Sequence, residues 1–140
     1  MAAFTGVFAM AMAISGAGQP LIANSVGLIV ADCTGYETFQ FNDGPVKRSS
    51  YELPIQIDLA QGSWCWRQCS KILTALIKSK NDGELVLVDI EGKITWRRDV
   101  IDLDNGEFRE HYTFNSGTGP AAIHTITDVE AVCRNSNAAG

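Results

Sequence analysis

Histidine is scarce in this sequence, and the motifs that mark common catalytic chemistries are missing. His111 and His124 are the only two histidines in 140 residues, and no Gly-x-Ser-x-Gly marks an activated serine. There is no phosphate-binding Walker loop, no dinucleotide fingerprint and no glycosylation sequon. Basic charge is also thin. Eleven Lys and Arg are scattered among 16 Asp and Glu, the net charge is −5, and Arg97-Arg98 is the only adjacent arginine pair. That balance argues against nucleic acid and anionic membrane surfaces, both of which are held by clustered cations. No charged side chain precedes Asp32.

The uncharged lead has a shape of its own. Ala2 to Ile14 is apolar and rich in small residues, and Ser15-Gly16-Ala17-Gly18-Gln19-Pro20 follows. This resembles the apolar core and cleavage region of a secretory signal, although no Lys or Arg precedes the run. Cleavage could follow Ala17 or Ala23. The run is too short for the ~20 residues of a membrane span. A buried N-terminal helix is the competing reading. The expected division is a signal-like helix over 1–23, one mature domain over 24–134 and a polar tail over 135–140, with the mature protein periplasmic or secreted and without a membrane span.

Four cysteines are an even count, as suits two disulfides in an oxidising compartment. Three pairings are possible; we favour Cys65 with Cys69 and Cys33 with Cys133. The Cys-x-x-x-Cys spacing is one residue too long for a thiol redox motif and lacks the adjacent histidine of a haem site. It could supply half a zinc site, but no second pair of ligands lies nearby. A structural disulfide is therefore expected, with no metal, no cofactor and no catalytic residue assigned. Trp64 and Trp66 offer a second reading, an aromatic lip for a ligand whose anionic group Arg67 would hold. Asp102-Leu103-Asp104-Asn105-Gly106 starts like a calcium loop but is one residue short, and reads better as a hairpin turn.

The remainder reads as strands. In Tyr51 to Leu59, apolar residues alternate with Glu52, Pro54, Gln56 and Asp58, the pattern of a half-buried antiparallel strand. Pro54 points to an edge or a bulge. Cys33, Phe39 and Phe41 share one parity after Val26, and Asn42-Asp43-Gly44-Pro45 is a turn. Residues 70–80 fit either a helical face or a strand; the turn at Asn81-Asp82-Gly83 favours a strand. Glu84 to Ile90 is apolar on both parities and is expected to be central. In Lys93 to Ile101, Ile94, Trp96 and Val100 make the apolar face, opposite Thr95, Arg97 and Asp99. Phe108, Tyr112 and Phe114 share a face, as do Ile123, Val129, Ala131 and Cys133, while His111 and His124 fall on polar faces. The fold class expected is mainly β, an antiparallel meander curved into a sheet or small barrel.

Cys33-Thr34-Gly35, Asp58-Leu59, Trp64-Cys65 to Cys69, Ile101-Asp102 to Gly106 and Cys133 together resemble a group of small exported bacterial proteins of unknown function. Leu103 stands where members often carry Arg. The resemblance implies export and a β-rich domain and brings no activity with it. The expectation is a non-catalytic structural or binding domain with a small-molecule or protein partner. The alternatives are a small-ligand carrier with its mouth near Trp64 and Trp66, and a small hydrolase or redox protein.

Overall fold

Alternating side chains at period two require extended backbone, and a computed structural model, which describes residues 18–66 and 74–136, shows nine strands. They are β1 (Leu28–Phe41), β2 (Lys47–Asp58), β3 (Ser63–Trp66), β4 (Ala75–Leu76), β5 (Ser79–Asn81), β6 (Glu84–Glu91), β7 (Thr95–Asp102), β8 (Glu107–Ser116) and β9 (Ile123–Asn135). A 3-10 turn over Gly119–Ala121 precedes β9. All pairings are antiparallel, in the order β4-β3-β2-β1-β9-β8-β7-β6-β5, and the sheet curls into a half-barrel. The expected mainly β class holds. The signal-like helix falls largely on residues 1–17, which lie outside the described residues together with Arg67 and Cys69.

The two edge strands are neighbours in sequence. Ile77 donates its N–H to Gly62 beside β3, and the next residue, Lys78, donates to Val86 on β6. One short segment thus touches both edges of the sheet and draws them together at one end. Inside that end lie Ile29, Ala31, Leu53, Ile55, Ile57, Trp64, Leu85, Leu87, Ile101 and Phe108. Leu21 joins them, its N–H bonded to the Leu103 carbonyl. Asn135 clasps Ile22 by two hydrogen bonds, from Ile22 N to Oδ1 at 2.8 Å and from Nδ2 to Ile22 O at 2.9 Å. The packed domain therefore reaches past 24 on one side and takes in Asn135 on the other.

Cys33 and Cys133 are directly opposite on β1 and β9 and are joined as a disulfide. Cys65 is disulfide-bonded as well. Asn42 and Asp43 carry the positive φ expected of their turn, +46° and +59°.

One reading of the strands is corrected. β6 is next to an edge, not central; a register shift between Val86 and Val88 places consecutive residues Leu85 to Leu87 under cover, Val86 on the outer wall against Val100. β7 keeps the two faces read from the sequence, with Arg97, Asp99 and Ile101 pointing into the half-barrel and Trp96 and Val100 pointing out. Pro54 stands where the β2–β3 ladder stops, since pairing covers only Ile55 to Asp58. Likewise β5 covers β6 only over Glu84 to Val86. Beyond those points, among the described residues, the edges of β2 and β6 have no strand beside them, and the barrel stays open.

Candidate functional site

Residues paired in register point to the same side of a sheet, so the ladders sort the concave wall into rows. The uppermost row of the core runs Tyr51, Gly35, Ala131, Phe108 and Ile101. Gly35 has no side chain and Ala131 a small one, so the rings of Tyr51 and Phe108 stack across them with centroids 6.2 Å apart. A methyl on Gly35 would lie 2.0 Å from the Glu130 carbonyl oxygen, so the β1 and β9 backbones can meet this closely only at glycine.

The next row runs Glu37, Val129, Glu110 and Asp99. Asp99 and Glu110 face each other directly, an arrangement that repels when both are charged. Arg97 relieves it. It lies two residues from Asp99 on the same strand, so both side chains share the inner face. Its Nε and Nη2 donate to the two Asp99 oxygens at 3.1 and 2.8 Å, and Nη2 also donates to Glu110 Oε1 at 3.2 Å. Asp99 is only 1% exposed, so this fork supplies the partner that a buried carboxylate needs. Burial nevertheless pushes the Asp99 carboxyl up, against the pull of Arg97. Burial first, then the charge of Asp99, pushes Glu110 up to about 7; Arg97 opposes and Glu37 adds to the rise. The hydrogen bond to Asp99 holds the Arg97 guanidinium firmly protonated. Tyr51, half-buried beside Glu110 and Asp99, is raised well above the ordinary phenol range, first by burial and then by those charges.

The outermost rows are aromatic. One runs Phe39, Thr127, Tyr112, Arg97 and Ile90, and the last runs Phe41, Thr125, Phe114 and Thr95. The Arg97 guanidinium stands 5.6 Å from the centre of the Tyr112 ring. Phe39, Phe41, Ile90 and Ile123 are exposed on this wall, and Val46 and Ile94 are exposed in turns at the same end. An apolar mouth therefore sits over a layer of mutually bonded charges, with the hydrophobic core beneath both.

The residues singled out from sequence lie elsewhere. Trp64 is in the core at 4% exposure, and its indole nitrogen donates to the Leu87 carbonyl at 3.2 Å, linking β3 to β6. Trp66 is 43% exposed and packs edge-on against Trp64, with ring centroids 5.3 Å apart. Arg67 lies outside the described residues. On the outer wall, His111 pairs with Asp128 at 2.5 Å and His124 with Asn115. Two adjoining depressions there, about 440 and 890 Å³, share Arg109, Asp128 and Glu130. Their charges form exposed, solvent-screened pairs, including Arg98 with Asp89 at 3.5 Å and Arg109 with Glu84 at 3.8 Å. Asp99 and Glu110, whose proton affinities are raised, lie beneath the mouth.

Among the described residues, no group of three or more His, Cys, Asp or Glu is placed to hold a metal ion, and no helix is long and apolar enough to cross a membrane. Comparison with family models, curated proteins and solved structures gave no match. The sequence pattern did not reveal the mouth, because β7 places its polar parity inward. The available signal was the pair Arg97 and Asp99, two apart, opposite Glu110 on the next strand.

Proposed function

We propose that this protein is a non-catalytic binding domain of an oxidising, extracytoplasmic compartment, and that it carries a small ligand with an apolar body in the open end of the half-barrel. The observation that carries this reading is the exposed apolar set at that end, Phe39, Phe41, Ile90 and Ile123, on a concave wall. A concave apolar surface suits a small molecule better than a flat partner. Below it, Arg97, Asp99 and Glu110 are bonded to one another, which suits a scaffold more than an acid–base centre.

The disulfides and the signal-like lead support export. Cleavage after Ala17 keeps Leu21 in the core and Ile22 against Asn135, whereas cleavage after Ala23 removes both. Mass spectrometry of protein purified from its native host tests this part. The expected mass lacks residues 1–17 and contains two disulfides; an uncleaved, fully reduced chain would contradict export.

Binding is tested with N-phenyl-1-naphthylamine, an uncharged dye that brightens in apolar surroundings. We expect saturable binding to one site, weakened about tenfold by Phe39→Ser combined with Phe41→Ser, since two exposed rings together supply about 1–2 kcal/mol. Non-saturable brightening, or an unchanged affinity in a variant that still folds, would count against the mouth.

A further inference from the structure

The rows of the mouth also define what kind of ligand it can accept, and the following inference rests on the carrier reading above. Three carboxylates, Glu37, Asp99 and Glu110, share one concave row, and a single guanidinium is placed to balance them. Arg97 already spends Nε and Nη2 on Asp99 and Glu110. The other cation on these rows is Lys47, paired with Phe39 at the free edge of β2 and exposed to solvent. Tyr51 and Tyr112 add hydroxyls, β9 presents Val129 and Thr127, and β6 presents Val88 and Ile90, so among the described residues no neighbouring strand supplies a further positive charge. An anionic head group entering here would meet excess negative charge and, among the described residues, no unengaged buried cation.

We propose that the mouth selects apolar ligands with an uncharged head, and that binding such a ligand drives a proton onto Glu110. The cause is desolvation. A neutral ligand seated on Phe39, Phe41, Tyr112 and Phe114 removes water from the carboxylate row below, and removing water penalises the charged form of an acid. Glu110 is the group that yields. Asp99 holds both oxygens on the Arg97 fork, whereas Glu110 has one contact with the same guanidinium. Its affinity for a proton is already high in the free protein, with half-protonation at about 7, so the coupling operates near neutral pH. The sign follows by linkage. A ligand that raises the proton affinity of Glu110 binds tighter as pH falls and is released as pH rises.

Two dyes with one skeleton test this on the full-length disulfide-bonded protein: neutral N-phenyl-1-naphthylamine and its sulfonate, 8-anilino-1-naphthalenesulfonate. The neutral dye should bind at least tenfold more tightly. Its affinity should rise about tenfold from pH 9 to pH 6, the effect of a one-unit rise in the Glu110 pKa. Calorimetry in buffers of different ionisation enthalpy should show proton uptake at pH 7. Glu110→Gln, which keeps an oxygen for Arg97, should bind the neutral dye with the same affinity at both pH values and take up no proton. If that variant fails to fold, the calorimetric proton count on the wild type decides. Saturable neutral binding without pH dependence or proton uptake, or sulfonate binding as tight as neutral binding, overturns this inference and leaves the carrier reading standing. No binding of either dye at any pH overturns both.

Discussion

At Asp99, a carboxylate is held out of water by the two hydrogen bonds of one guanidinium, and its cross-strand neighbour Glu110 must share that cation. The arrangement ties stability to pH. The folded Glu110 holds its proton up to about 7, against an ordinary value of 4.5, so the fold binds that proton more tightly than the unfolded chain does. Its stabilising contribution is complete below about 4.5 and fades as pH rises through 7, an effect on the order of 2–3 kcal/mol. Urea midpoints should therefore fall between pH 5 and pH 8 in the wild type and stay nearly level in Glu110→Gln. A wild-type midpoint that climbs over this range would refute the assignment. Gly35→Ala is the steric counterpart. Its new methyl meets backbone at 2.0 and 2.6 Å, which cannot swing aside, so a loss of about 3 kcal/mol is expected in the same titration. Glu110 did not stand out in the sequence, and Gly35 did so only as part of the Cys33-Thr34-Gly35 motif. Arg97 and Asp99 sit opposite Ile94, Trp96 and Val100, and alternation alone does not say which parity faces inward. Here the polar parity goes inside because three charged groups satisfy one another there.

Among the elements, the long strands were legible and the short ones were not. β1, β2, β8 and β9 announce themselves by alternation, because each has one face on the core and the other in solvent. Their turns were legible for a local reason, since Asn42, Asp43 and Gly106 adopt positive φ. β4 and β5 have two and three residues, too few to show a period, and their place is set by what they touch on either side. β3 is laddered to β2 and β4, and a side-chain bond from the Trp64 indole to the Leu87 carbonyl ties it across to β6. Trp64→Phe removes that bond and some core volume, and should cost about 2 kcal/mol. Hydrogen exchange should then quicken in residues 63–66 and 75–81 while β1 and β9 stay protected. Equal loss of protection across the sheet would show that this corner does not open independently.

For the molecule as a whole, the disulfide between Cys33 and Cys133 closes a loop with a sequence separation of 100. The chain-entropy account assigns such a loop about 4–5 kcal/mol. Cys33→Ala with Cys133→Ala should lower the unfolding free energy by that order in urea titrations, and a loss below ~1 kcal/mol would mean that strand pairing alone holds the seam. The same bond decides how the domain behaves under load. Tension applied at the two termini enters beside Ile22 and Asn135, which clasp each other, and peels only the few residues outside the cysteines before it reaches a covalent link. Everything from β2 to β8 then lies off the line of force. A tether built through this domain would stay short and stiff, and reduction would pay out roughly 350 Å of slack at about 3.5 Å per residue.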